Sequence, residues 1–295
     1  MTTENLYFTE GHDANSKDVV NMYPEAMKEL ALPAPAIHLI DFPGFDHAIG
    51  GFRAREFTIL CGATGVGKTA LLANWSASLL KQKVPHFVAS VETGATDYVK
   101  RVMSVLCDKD INDGEAVRIE DLKKIHEKVF PHINKDILQL SLYDNRCSVE
   151  TLMADIEWHV KHKRCGLAII DNLNFFLEVT SAANSIVEMD RVIHELIIFC
   201  KRVDCHVVMV MHPKKTENGR IESELEIKGS STAVQEAHNV LLFNRPKKER
   251  IEAGYSSPSD RELKIAKLRR RGRWVGKSSI IKCENGTKYT EGAMY

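Results

Sequence analysis

The sequence predicts an α/β fold with a mostly parallel central sheet and helices on both of its faces, and three observations support this. From Ile37 onward, apolar runs of strand length alternate with stretches of helix length. At residues 57–80 one such run, FTILC, passes through a glycine-rich loop directly into ALLANWSASLL, so strand, loop and helix follow in order. Finally, 295 residues with 44% hydrophobic content suffice for one large α/β domain and a short appendage.

The elements follow in chain order. Residues 16–31 read as a short amphipathic helix, with Ser16 or Pro24 as its start and Pro33 and Pro35 as its stop. A solitary helix cannot bury its apolar face alone, so Val20, Met27 and Leu30 need a partner surface, on their own domain or on a neighbouring subunit. Strand-like runs are FTILCG (57–62), HFVASVE (86–92), ILQLSLYD (137–144), GLAIIDNL (166–173), HVVMVMH (206–212) and NVLLFNR (239–245). Helical stretches lie near 69–82, 96–107, 120–129, 148–163 and 188–204. The end changes character: ELKIAKLRR (262–270), GRWVG and KSSIIKCE (277–284) read as an antiparallel hairpin at the edge of the sheet. The expected division is a tail with its helix over 1–36 and one domain over 37–295. Within the tail, ENLYF matches part of a protease-cleavage tag that Thr9 does not complete, so residues 1–8 read as a tag remnant or as native sequence.

Forty basic residues balance forty acidic ones, so any nucleic-acid contact has to come from local clusters and not from net charge. The seven cysteines form no C-x-x-C pair and several sit in apolar runs, as reduced core residues of a cytosol-like compartment would. No long uncharged apolar segment and no secretory leader is expected, hence a soluble, intracellular protein without a membrane span.

Gly62-Ala63-Thr64-Gly65-Val66-Gly67-Lys68-Thr69 fills every position of the phosphate-binding pattern G-x-x-x-x-G-K-[ST]. Its glycines let successive backbone N–H groups converge on phosphate oxygens, and the following helix adds its positive end. In such a loop Lys68 is expected to bridge the β- and γ-phosphates of a nucleotide, and the Thr69 hydroxyl to ligate Mg2+. Asp171 ends the apolar strand AIID, where a carboxylate lies beside that ion. Glu92 closes HFVASVE; if that strand neighbours the loop strand, its carboxylate is placed to deprotonate an attacking water. His212 ends HVVMVMH, within reach of a γ-phosphate. The loops 213–220 and 228–232 carry lysines and small residues suited to a nucleic-acid backbone, and Lys267 and Arg269 fall on one face of the basic hairpin.

Taken together, AIIDNLNFF, CHVVMVMHPKK and IKGSSTAVQEAHNVLLF resemble the hexameric replicative helicases of superfamily 4, of the Twinkle and phage primase-helicase type, with DnaB more distant. The likeness runs from about Phe42 to about Ile281. It implies a RecA-like core with an N-terminal linker helix over 16–31, assembled as a hexameric or heptameric ring around single-stranded DNA. The implied activity is hydrolysis of ATP, or another nucleoside triphosphate, with Mg2+, coupled to translocation. The resemblance makes Glu92 the catalytic base, His212 the γ-phosphate sensor, Gln235 a polar relay and Arg269, beside Arg270 and Arg271, the arginine finger donated to a neighbouring subunit. Lys214, Lys215, Gly229 and Ser230 become DNA-binding residues, and a replisome polymerase a further partner. The implied setting is the cytoplasm of a bacterium or phage-infected cell, or an organelle matrix. GHDANSKDVV resembles the tail of an upstream TOPRIM primase module, but with no acidic D-x-D pair or cysteine zinc cluster beside it no priming is expected. The rival readings are a RecA-type recombinase filament, which would share this core, and a regulatory P-loop ATPase clamp that binds protein.

Overall fold

The computed structural model describes residues 19–31, 35–90, 92–111, 118–142, 147–172, 182–214, 219–228 and 231–295. The chain divides into two units, Met1–Pro35 and Ala36–Tyr295. In the first, helix α1 spans Val19–Ala31, and Pro24 lies inside it, not at its start. Tyr23, Met27 and Leu30 recur at helical spacing and are exposed.

The second unit contains β1 (Ala36–Ile37), α2 (Pro43–Ile49), β2 (Phe52–Arg53), β3 (Phe57–Gly62), α3 (Lys68–Lys81), β4 (His86–Ser90), α4 (Ala95–Cys107) and α5 (Ile119–Val129). It continues with β5 (Leu138–Leu142), α6 (Val149–Lys163), β6 (Leu167–Asp171), α7 (Ala182–Val203), β7 (His206–Met211), α8 (Ser231–Glu236) and β8 (Asn239–Asn244). The last elements are α9 (Lys248–Glu252), β9 (Arg261–Leu268), β10 (Ser278–Glu284) and β11 (Lys288–Met294). Nine strands form one sheet in the order β11-β10-β9-β8-β3-β7-β6-β4-β5. From β8 to β5 every neighbouring pair is parallel, and from β8 outward to β11 every pair is antiparallel.

The parallel strands β3, β4, β6, β7 and β8 are buried on both faces, as a helix-covered sheet requires, while the edge strand β5 is only partly buried. Alternate residues serve opposite cores. Phe57, Ile59, Ala168, Ile170, Val207 and Met209 pack with α6 and α7, whereas Leu60, Ile169, Val208 and Val210 pack with α2 and α3, around the fully buried Trp75. Truncating one of the larger of these, such as Ile59, Leu60 or Met209, to alanine costs about 2–5 kcal/mol. That makes the sheet a rigid platform for the loops at its carboxyl ends. All seven cysteines are free thiols, and no described helix is long and apolar enough to cross a membrane.

Three differences from the sequence expectation stand out. The hairpin β9–β10 forms, but β11 pairs outside it and is the true edge. Its text, KYTEGAM, has no apolar run to announce a strand. Helix α2 was not anticipated: seven residues opened by Pro43 are too short for a periodic signal. Most relevant to the site, β4 does not neighbour β3, because β7 and β6 lie between them.

Candidate functional site

The carboxyl ends of β3, β7, β6 and β4 lie side by side, with Cys61 opposite Met211 and Ser90 opposite Asp171. The segment after β3 is the predicted phosphate loop. Gly65 and Gly67 have φ values of 73° and 99°, the left-handed region that glycine adopts without a steric penalty. Gly67 is the N-cap of α3 and makes no side-chain capping bond, and the first turn of the helix holds no acidic residue. The amide donors there are therefore left for an anion. Lys68 is buried, and its Nζ donates to the carbonyls of Gly62 at 2.8 Å and Ala63 at 3.1 Å. Burial lowers its pKa, opposed by the nearby charge of Asp171.

At the end of β6, Asp171 is buried, and its Oδ2 accepts from the Thr69 hydroxyl at 2.8 Å. Its Oδ1 is buried without a hydrogen-bond partner among the described residues. Burial raises its pKa against the lowering effect of the Thr69 bond. The next residue, Asn172, is one that sequence reasoning missed. Its Nδ2 donates to Glu92 Oε2 at 2.7 Å and lies 3.3 Å from His212 Nε2. His212 Nδ1 in turn lies 3.4 Å from Lys68 Nζ and 3.5 Å from the Thr64 hydroxyl. His212 is half-buried, and burial followed by the Lys68 charge lowers its pKa.

Glu92 thus joins the site although its strand is not next to β3. It sits two residues past β4, and Asn172 at the tip of β6 reaches across to it. The sequence showed Asn172 only as the residue after a strand-ending Asp; nothing local marks it as a bridge.

The remaining expected residues lie elsewhere. Gln235, on α8, is not part of this cluster; its carbonyl accepts from Lys267 and from Arg269 Nη2, the latter at 2.9 Å. Arg269 also donates to the carbonyl of Glu236 at 2.8 Å, so Lys267 and Arg269 do share a face, laid on the last turn of α8. Arg270 pairs with Glu56 at 2.6 Å, and Arg271 donates to the carbonyl of His47 at 2.6 Å. Lys214 is exposed, with its Nζ on the Leu225 carbonyl at 2.9 Å. Lys215, Gly229 and Ser230 lie outside the described residues. One more residue that the sequence did not single out touches the loop: Arg261, at the start of β9, donates from Nε to the Val66 carbonyl at 2.6 Å.

Comparison with known proteins bears on the family and the fold. The model of the AAA domain family matches residues 39–218, well over half of the chain. Replicative DNA helicase DnaB of Helicobacter pylori strain J99 is 22% identical over 235 residues, covering 78% of this chain and 48% of that protein. The protein of the same name from Helicobacter pylori strain 26695 is 23% identical over 210 residues, covering 69% of this chain and 43% of its own length. The chain therefore spans about half the length of these curated relatives. Among solved structures, a DnaB-like replicative helicase described with its interactions with primase superposes with a TM-score of 0.76 at 15% identity, covering 95% of this chain and 68% of that one. A second solved structure, described as an ATPase domain, superposes with a TM-score of 0.74 at 16% identity, over 95% of this chain and 100% of that one. With the parallel sheet, the glycine loop and the strand-end carboxylate already in place, the fold is the RecA-like one that the DnaB-type solved structures share, and the chain belongs to the AAA domain family.

Proposed function

We propose that this chain is the motor core of a replicative DNA helicase that hydrolyses ATP, or another nucleoside triphosphate, at the loop 62–69. The observation that carries the reading is the continuous set of contacts from Thr69 to Asp171 and from Glu92 through Asn172 and His212 to Lys68. It joins a phosphate cradle, a carboxylate for the metal and a carboxylate for the water in one place. The matching relatives are replicative helicases, which disfavours a recombinase filament or a regulatory clamp.

The residues fit a bound Mg2+. Thr69 and Asp171 offer hard oxygen donors, and the buried, unpartnered Oδ1 of Asp171 is the kind of atom a cation satisfies. When bound, the ion would neutralise charge on the phosphates. Around it, the N-terminal amides of α3 would receive phosphate oxygens, and the Lys68 ammonium would leave its two carbonyl partners for the β- and γ-phosphates. Glu92, oriented by Asn172, would accept the proton of the attacking water. His212, held between Asn172 and Lys68, would register the γ-phosphate and relay its loss to the segment beginning at Lys214.

Arg269 cannot serve this site in its own subunit. Strand β9 starts at Arg261 on the phosphate loop and runs antiparallel to β8, so that Leu268 faces Asn239 at the amino end of the sheet. Eight residues of strand separate Arg269 from the loop by about 25 Å. A finger at 269 would therefore act across an interface, in a ring of hexameric or heptameric type around single-stranded DNA. The test is ATP hydrolysis with and without single-stranded DNA, together with unwinding of a forked duplex with either tail removed. Hydrolysis indifferent to DNA at every concentration would overturn the reading.

A further inference from the structure

We infer that Arg261 and Tyr289, from the antiparallel strands appended beyond β8, are positioning residues that set the orientation of the phosphate-loop amides. The inference rests on the reading of residues 62–69 as a nucleotide site.

The loop is thinly held by its own bonds. Two of its glycines have positive φ, its internal Val66 N–H to Ala63 carbonyl bond is long at 3.3 Å, and Gly65 faces open space, with nothing within 4 Å of where a Cβ would lie. Glycine-rich backbone loses the most entropy on being fixed, so a loop that must present several N–H groups at once needs outside support.

Arg261 supplies it at one peptide. Its Nε donates to the Val66 carbonyl at 2.6 Å, while its Nη1 donates to the carbonyls of Ser259 and Asp260, both at 2.7 Å. In a trans peptide unit the C=O of one residue and the N–H of the next point in opposite directions. Pinning the Val66 carbonyl towards β9 therefore aims the Gly67 N–H the other way, into the concavity where the helix N-terminus gathers anions.

Tyr289 braces the neighbouring atom. A Cβ added at Gly67 would lie 2.5 Å from the Tyr289 hydroxyl, so the ring tip stands directly against the glycine. The strand that carries it is fastened to the helix following the loop: Asn74 of α3 donates from Nδ2 to the Thr287 carbonyl at 2.9 Å and accepts at Oδ1 from the Tyr289 N–H at 2.8 Å. A buried amide side chain thus pairs with the backbone of β11 as another strand would, and loop, helix and outermost strand become one unit.

The experiment compares the wild type with Arg261→Ala, Arg261→Lys and Tyr289→Phe by two readouts. Amide hydrogen exchange of Val66, whose N–H is bonded within the loop to the Ala63 carbonyl, should accelerate severalfold without nucleotide in Arg261→Ala, with exchange in β6 and β7 unchanged. Binding of ATP with Mg2+ should weaken by a similar factor. Arg261→Lys, which still offers a donor to Val66, should recover part of both effects, and Tyr289→Phe, which keeps the ring, should show smaller changes confined to the loop. Unchanged loop exchange in the folded Arg261→Ala protein would overturn the inference. So would a loss of binding that follows global melting equally in the Ala and Lys variants, which is what a purely structural role gives. If the wild type binds no nucleotide, the functional reading fails, while the exchange readout still decides whether Arg261 orients the loop.

Discussion

Replacing Asn172 with leucine tests the bridge that brings Glu92 into the site. The two side chains share the same branched framework of four heavy atoms, though leucine is larger, so at a site only 3% exposed the donor is lost with local repacking. The bond removed is short, 2.7 Å to Glu92 Oε2, and its acceptor is a carboxylate; the 3.3 Å approach to His212 is longer and contributes less. Hydrogen bonds to charged groups are worth about 1.5–3 kcal/mol. At about 1.4 kcal/mol per decade, this converts to a ten- to hundredfold loss in kcat if the bond orients the base in the transition state. Glu92 is exposed, so water replaces the lost donor and global stability should fall by less than about 1 kcal/mol. The assay is steady-state ATP hydrolysis with saturating single-stranded DNA, paired with affinity for a non-hydrolysable analogue. A kcat within twofold of wild type, or an affinity that falls as far as kcat does, would refute the assignment of Asn172 as the residue that orients Glu92.

Three further outcomes are expected. Mixing Arg269→Ala with Lys68→Ala protein should restore part of the hydrolysis that each lacks alone, since fingers contribute about 10³–10⁵ in turnover; no recovery while rings still form counts against a finger at 269. Lys214→Ala should lower the slope of log affinity for single-stranded DNA against log salt by about 0.7, as loss of one phosphate contact does, and an unchanged slope removes Lys214 from the DNA surface. Burial depresses the pKa of His86 to about 4 and of His206 to about 3, so both stay neutral in the fold while the unfolded chain takes up protons below its ordinary value near 6.5. The stability they contribute is therefore complete above that value and lost as pH falls towards 4 and 3, about 1 kcal/mol each between pH 7 and 5.5. Urea titrations at those two pH values measure it, and a pH slope no flatter in His86→Gln would contradict the burial argument.

What could be read from the amino-acid sequence is what depends on neighbours along the chain. Residues 62–69 are contiguous, so their shape follows from local glycine conformations and the helix start after them. The apolar runs of β3 to β8 and the placement of Asp171 at a strand end are likewise local, and all six runs became parallel strands of one sheet. Sequence pattern stops there because it reports which residues a strand buries and not which strand lies beside it. Strand order alone decided that β7 and β6 separate β3 from β4, and therefore that Glu92 is reached through Asn172, 80 positions away, and not from an adjacent strand. The same holds at the far edge: a polar strand with no announcing pattern brought Tyr289 onto Gly67, and the antiparallel run of β9 set Arg261 on the loop and Arg269 at the opposite end of the sheet. Chemistry within eight successive residues is written in the sequence; chemistry between residues more than two hundred positions apart exists only once the sheet has ordered its strands.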